Sequence, residues 1–223
     1  MIKLQNITKS FGTLQVLQGI DLEIAKGEFV ALVGKSGSGK STILNIIGAL
    51  DKPTSGNVFI DTEDLSTLSD KELALFRSTS LGFVFQSFHL EPTYSVFKNI
   101  EIPLLIAKVP KKERIAKIQE VLAKVNLSDK IKQKTATLSG GEKQRVAIAR
   151  SLANSPKIIL ADEPTGNLDS QSGKIVLDLL KDLSSSGITV LLVTHSESDA
   201  GLADRVISLE DGKIASPNKA NEK

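Results

Sequence analysis

The sequence predicts an α/β fold: a parallel-sheet core, an antiparallel β subdomain attached to it, and an inserted α-helical subdomain. Three observations carry that expectation. Short β-branched runs alternate with helical patterns along the chain. The runs "GEFVALVG" (27–34), "KIILADE" (157–163) and "ITVLLVTH" (188–195) are apolar on both faces, as central strands of a parallel sheet are. Over 88–153 the strand patterns stop and helical ones take over.

Taken in order, residues 1–26 alternate apolar and polar, as in "MIKLQNI" and "IDLEI", which predicts antiparallel strands. After the strand at 27–34, "STILNIIGAL" reads as a helix, and "NVFID" (57–61) as another strand of the antiparallel kind. In "KKERIAKIQEVLAKV" the apolar residues Ile115, Ile118, Leu122 and Val125 share one helical face, with lysines and glutamates opposite. Between the last two central strands, Val176, Leu179, Leu180 and Leu183 form a helical stripe that Gly187 can close, so this stretch is a strand–helix–strand crossover. "DRVISLEDGKIAS" reads as a hairpin turning at Asp211-Gly212, and the tail "PNKANEK" has no apolar anchor and is expected to fray.

Bulk properties bound the function. With 223 residues, 40% of them hydrophobic, the chain can bury a sizeable core in one large domain, here taken as a single unit over 1–223. A net charge of +2 gives no electrostatic basis for a nucleic-acid partner. Cysteine is absent, which excludes a disulfide framework and fits a reducing compartment. The N-terminus lacks the apolar core of a signal peptide, and runs such as "VLLV" fall far short of the ~20 residues a membrane helix needs. A cytosolic protein is expected, with any membrane association made through a partner.

The string "VGKSGSGKST" matches G-x-x-x-x-G-K-[ST] and sits between an apolar strand and a helix, the context that motif requires. Its residues Gly34, Lys35, Ser36, Gly37, Ser38, Gly39, Lys40, Ser41 and Thr42 form a candidate phosphate cradle. Glycines let backbone N–H groups converge on phosphate oxygens, and the helix N-terminus adds positive potential. Lys40 can neutralise the β- and γ-phosphates, and the Ser41 hydroxyl suits Mg²⁺. At the end of "IILADE", Asp162 can hold the Mg²⁺ shell while Glu163 polarises a water for in-line attack on the γ-phosphate. Those residues imply binding and hydrolysis of a nucleoside triphosphate.

A second turn, "LSGGEKQR", poses a separate problem. Ser139-x-x-Glu142 reads as a capping box opening the helix "EKQRVAIARSLA". A cap does not need two glycines, Gly140 and Gly141, each of which costs ~1 kcal/mol relative to alanine in a helix. They make sense if something large approaches the backbone, and a serine hydroxyl with a helix N-terminus is an anion site. Two copies facing head to tail would use it: each cradle would be closed by the other copy's Ser-Gly-Gly turn.

Here the chain resembles the ATP-binding cassette (ABC) ATPases over nearly its whole length. "GKSGSGKS" is similar to their Walker A segment, "IILADE" to Walker B with its glutamate, and "LSGGE" to their signature. The resemblance implies a P-loop NTPase (RecA-like) fold and ATP with Mg²⁺. It implies a helical signature subdomain over 88–153, set in a core of 1–87 and 154–223. It also gives roles to four more residues. Gln86 would reach Mg²⁺ or the attacking water through its amide carbonyl, His195 would sense the γ-phosphate, Asp169 belongs to the D-loop, and Phe11 would stack on adenine. Departures from common family forms are Glu142 for glutamine, followed by Lys143, Thr135 for a proline ahead of the signature, and Ser196 for the aspartate after the histidine.

Within the family, the strings around the cradle, "LGFVFQSFHL" and "ADEPTGNLDS" are similar to ATPases of the lipoprotein-release and macrolide-export type. That resemblance implies a peripheral protein at the cytoplasmic face of the membrane, working in an export or mechanotransmission system. Its chain stops shortly after the last hairpin, so a separate membrane subunit is expected, docking near residues 86–100, with a periplasmic or extracellular adaptor reached through it. Glu91 and Tyr94 stand there instead of the expected apolar residues, and Phe88 and Leu90 are candidate contacts. An ABC ATPase of a regulatory, cell-division type of membrane complex, translocating nothing, is the alternative. A GTPase is excluded by the lack of N-K-x-D, and soluble ABC proteins of DNA repair or translation by the lack of coiled coils or a second cassette.

Overall fold

A computed structural model describes residues 1–215; the tail "PNKANEK" lies outside them. Two sheets organise the molecule. The first is antiparallel and four-stranded, built from β1 (Ile2–Phe11), β2 (Leu14–Ile24), β4 (Ser55–Ile60) and the short β5 (Glu63–Asp64), in the order β2-β1-β4-β5. The second is six-stranded, in the order β10-β9-β3-β8-β7-β6. Its strands β3 (Phe29–Val33), β6 (Leu81–Phe85), β7 (Ile158–Asp162), β8 (Thr189–Val193) and β9 (Arg205–Glu210) pair in parallel. The sixth, β10 (Lys213–Ile214), turns back antiparallel on β9 across Asp211-Gly212, as the sequence predicts.

The central strands are apolar on both faces because both faces are covered. Val30, Leu32, Ile158, Leu160, Leu191 and Val193 join α1 (Lys40–Ile47) and the antiparallel sheet in one buried cluster. Phe29, Val84, Ile159, Ala161, Val190 and Leu192 point the other way, into a cluster with α6 (Ser170–Ser185) and the helices of the middle segment. Full burial of such aliphatic side chains is worth ~1.5–3 kcal/mol each, so the pattern locks the strands in register.

The middle segment folds as α3 (Val96–Ile106), α4 (Lys111–Lys124) and α5 (Gly140–Leu152). On α4 the buried stripe is Ile118, Val121 and Leu122, continued by Val125, whereas Ile115 is exposed. This corrects the expected stripe: one turn before Ile118 the helix has already left the cluster. A backbone ladder ties the start of α3 to the approach to α5, with Val96 N–H donating to Gln133 O at 2.9 Å and Thr135 N–H to Tyr94 O at 3.0 Å. The helix α2 (Asp70–Ser80), opened by a capping box of Ser69 and Glu72, has no counterpart in the expectations. A short helix α7 (Glu197–Ala200) follows β8.

Candidate nucleotide site at the strand ends

Parallel pairing puts the C-terminal ends of four strands on one edge. Phe85 aligns with Asp162, Asp162 with Val193, and Val193 with Leu32. The residues that follow, Gln86, Glu163, His195 and the glycine-rich loop, therefore emerge side by side. This is the crevice at strand carboxyl ends where open α/β sheets bind ligands.

The loop's shape is dictated by Gly39. Its φ is +106°, and a Cβ there would lie 2.7 Å from Leu17 Cδ2, so only glycine lets the loop turn directly into α1. Lys40, the first residue of α1, is buried, and its Nζ donates to Gly34 O at 2.7 Å and Lys35 O at 3.0 Å. The ammonium is thus strapped across the loop with a proton to spare for a phosphate oxygen. A cavity of about 650 Å³ opens beside it, lined by Ser36, Gly37, Gly39, Lys40, Ser41 and Thr42, with Val16 on one wall and Glu163 and His195 on another. Ser38 Oγ is buried in the loop with no partner among the described residues.

Asp162 closes β7, and its Oδ1 accepts a long hydrogen bond from Ser41 Oγ at 3.4 Å. Burial holds this carboxyl above the ordinary aspartate range, against the opposing pull of the Ser41 hydroxyl; the Glu163 charge adds to the rise and Lys40 opposes it. A half-buried carboxylate so weakly partnered, next to a hydroxyl, suits a hard cation. Among the described residues no group of three or more His, Cys, Asp or Glu side chains is arranged to hold a metal ion. Mg²⁺ needs only one or two protein oxygens and completes its shell with water and phosphate. Ser41 and Asp162 line a second cavity of about 320 Å³ together with Gln86 and Glu163.

Glu163 sits at φ +47°, a left-handed conformation unusual for a non-glycine residue. It is held there by its N–H donating to Val193 O at 2.9 Å and by its carbonyl accepting from Gly166 N–H at 3.1 Å. Strain of this sort, of order 1–3 kcal/mol, persists where the surroundings over-determine it. Here it turns the carboxylate toward His195, whose Nδ1 lies 3.2 Å from Glu163 Oε1. Across the edge, Gln86 Nε2 donates to Asn167 Oδ1 at 3.3 Å and Asn167 Nδ2 to Gln86 O at 3.1 Å. The glutamine's nitrogen is engaged, which leaves its carbonyl oxygen for metal or water.

The Ser-Gly-Gly turn is built as a capping box. Ser139 Oγ accepts from Glu142 N–H at 3.2 Å, and Ser139 N–H donates to Glu142 Oε2 at 2.9 Å, the bond that chiefly holds the Glu142 carboxyl below its usual range. Gly141 has a reason inside its own chain. A Cβ there would lie 2.7 Å from Ser172 Oγ and 2.8 Å from Ser172 Cβ, because the start of α5 packs on the start of α6. Close approach by a foreign phosphate is therefore not needed to explain that glycine. Asp169 caps α6, accepting from Ser172 N–H at 2.9 Å. Ser139, Gly140, Gly141, Glu142 and Asp169 do not line the cavity beside Lys40.

The sequence profile of the ABC transporter family matches residues 17–166, spanning the cradle, the turn and the strand-end acids. The chain belongs to the ABC transporter family. A protein of Bacteroides thetaiotaomicron named lipoprotein-releasing system ATP-binding protein LolD is 50% identical over 215 residues, 96% of this chain and 99% of that one. The macrolide export ATP-binding/permease protein MacB of Nitrosomonas europaea is 48% identical over 219 residues, 96% of this chain but 33% of its own length. A solved dimeric structure of a post-hydrolysis state of the cassette MJ0796, bound to ADP and Pi, superposes with a TM-score of 0.87 at 45% identity and covers 97% of each chain. This chain is an ABC ATPase: it binds and hydrolyses ATP.

Departures from common ABC forms have local explanations. Thr135, in place of a proline, is buried and donates through Oγ1 to Glu91 O at 2.7 Å. Ser196, in place of an aspartate, caps α7, and its hydroxyl donates to Asp199 Oδ1 at 2.9 Å; Asp199 Oδ2 in turn accepts from Thr165 Oγ1 at 2.5 Å. A carboxylate beside the ABC histidine loop thus comes from three residues further on. Lys143 has no contact that explains it. One site residue escapes sequence reasoning: Val16 walls the cavity from the second strand, and its residue type carries no signal of its own. Asn167, inside the "GNLD" stretch that resembles the D-loop, clasps Gln86. Phe11 is 54% exposed at the end of its hairpin, with Lys9 Nζ 4.8 Å from the ring centroid, and does not line the cavity.

Proposed function

We propose that two copies of this chain close head to tail around ATP, each completing the other's cradle with Ser139, Gly140, Gly141 and Glu142, and that the closure drives a membrane subunit of the lipoprotein-release or macrolide-export type. The observation that carries this reading is the separation within one chain of the Ser139 turn from the cavity beside Lys40. The cradle offers an anion its lysine and loop N–H groups, the turn offers a serine and a helix start, and a second copy would unite them. The dimeric state of the related cassette supports the arrangement.

In that assembly the residues divide the work. Lys40 and the loop N–H groups of Ser36, Gly37, Ser38 and Gly39, with Ser41 and Thr42 at the helix start, hold the phosphates. Ser41, Asp162 and the Gln86 carbonyl would hold Mg²⁺, which when bound neutralises phosphate charge and orients the γ-phosphate. Glu163 polarises water, aided by its contact with His195, which hydrogen-bonds the γ-phosphate. Phe11 stacks on adenine, and Asp169 orders the opposite D-loop. Binding is the closing stroke and hydrolysis the release, a two-state cycle set by the differential affinity of ATP for the closed pair.

A groove of about 290 Å³ supports the membrane contact. It runs between the end of α2, β6, α3 and α5, and is lined by Leu81, Phe83, Phe85, Ile102, Pro103 and Ile106 among others. Ile106 is 69% exposed beside it, whereas Leu90 packs into the helical cluster. On this reading the docking surface extends from the expected 86–100 segment to the groove around 102–106. Among the described residues no helix is long and apolar enough to cross a membrane. The protein works at the cytoplasmic face, and through its membrane subunit on a periplasmic or extracellular adaptor. Ile106→Asp should sharply lower co-purification with that subunit while basal ATPase stays within about twofold; unchanged co-purification would move the contact elsewhere.

The reading is tested by hybrids. Lys40→Ala and Ser139→Arg chains are each expected to be inactive alone, because every site lacks one half. Mixed, they form one site from two intact halves, and turnover should rise well above either parent. A mixture as silent as its parents would refute the shared site.

A further inference from the structure

Gln144 is fully buried on α5, five residues after Ser139. Its amide nitrogen uses both protons on backbone carbonyls from two different strand ends, donating to Phe85 O at 3.1 Å and Pro164 O at 2.7 Å. Phe85 immediately precedes Gln86, and Pro164 immediately follows Glu163. The amide oxygen is buried without a partner among the described residues. An unpaired buried acceptor is costly, so the side chain is placed for its two donors and not as neutral filling.

We propose that Gln144 is a positioning residue that ties the signature helix to the carbonyls beside Gln86 and Glu163, so that movement of the half-site a chain lends is transmitted to the half-site it keeps. The inference rests on the head-to-tail reading. The helix is a rigid lever: its first turn presents Ser139 to the facing copy, and its second turn grips the strand ends that aim the water-polarising glutamate and the metal-facing glutamine. Any rotation that carries Ser139 toward the partner's nucleotide pulls on both loops. Displacement of a reacting group by ~1 Å costs about a hundredfold in rate, so the bond sets the hydrolytic geometry without touching ATP.

The experiment uses the hybrid pair Lys40→Ala plus Ser139→Arg as its control. Gln144→Met, which keeps the volume and removes both donors, is added either to the Ser139→Arg chain, where it acts on the half that chain keeps, or to the Lys40→Ala chain, where it acts on the half that chain lends. Each placement should lower kcat roughly 10- to 100-fold. ATP affinity at the intact cradle, read with a fluorescent ATP analogue and Mg²⁺, should change less than about twofold. Loss in one placement only, or in neither, overturns the linkage, as does a parallel loss of ATP affinity. A silent control pair overturns the dimer reading and the linkage with it, and is told apart because it fails before Gln144 is changed. Gln144→Glu supplies a signature that packing alone would not produce. Its carboxylate repels both carbonyls when ionised and can donate once when protonated, so its turnover relative to the control should rise as pH falls from about 8 to about 6. A flat ratio overturns the proposal.

Discussion

Glu163→Gln should cut ATP turnover by roughly 10²–10⁴-fold, the range general-base catalysis contributes, and leave ATP affinity nearly unchanged. The substitution is isosteric. Its amide oxygen can still accept from His195 Nδ1, now at 3.2 Å from Glu163 Oε1, and the left-handed backbone at φ +47° is as accessible to glutamine as to glutamate. Only the capacity to take a proton from water is lost. With the closing stroke intact and the release blocked, the variant should accumulate as an ATP-bound dimer on gel filtration with Mg²⁺, at twice the 23.9 kDa of one chain. Monomers alone, across salt and protein concentration, would contradict ATP-driven closure. Turnover near that of the parent would remove Glu163 from the water-polarising role.

Lys40→Ala should weaken ATP binding by about 10- to 100-fold, the loss expected when a charge-assisted contact worth ~1.5–3 kcal/mol disappears. Two effects act together. Among the described residues Lys40 is the only lysine or arginine lining the cavity, and its ammonium also straps the loop through Gly34 O and Lys35 O. Its removal costs both the phosphate contact and the loop's preorganisation. Ser139→Arg should leave affinity at its own cradle untouched and abolish turnover, since Ser139 does not line that cavity. Equilibrium binding of a fluorescent ATP analogue to monomeric protein separates the two. Equal loss of affinity in both variants would place Ser139 in its own chain's site.

Much of the site was legible before any coordinates because its parts are local. Gly39, Lys40 and Ser41 read as a cradle because a backbone turn, a helix start and a cation must be adjacent in sequence to work. Asp162 and Glu163 were legible as a pair at a strand end, and Ser139 with Glu142 as a cap, since a capping box spans four residues. Other features depend on partners far along the chain. Gly141 is explained by Ser172, Gln86 is clasped by Asn167, and Gln144 reaches Phe85 and Pro164. Ile115 matched the helical stripe and yet is exposed, because periodicity shows which residues share a face but not where along the helix its neighbour ends.

By itself the sequence determined the elements, the cradle, the strand-end acids and the capped Ser-Gly-Gly turn, all of them set by interactions within a few residues. Only the tertiary structure decided that four strand ends share one edge, that Val16 walls the cavity while Phe11 stands exposed, and that the Ser139 turn does not line its own cradle. The physical reason is the range of the forces. Caps, turns and periodicity are satisfied by neighbours, whereas register and crossing contacts are chosen by burying two apolar faces of one sheet at once.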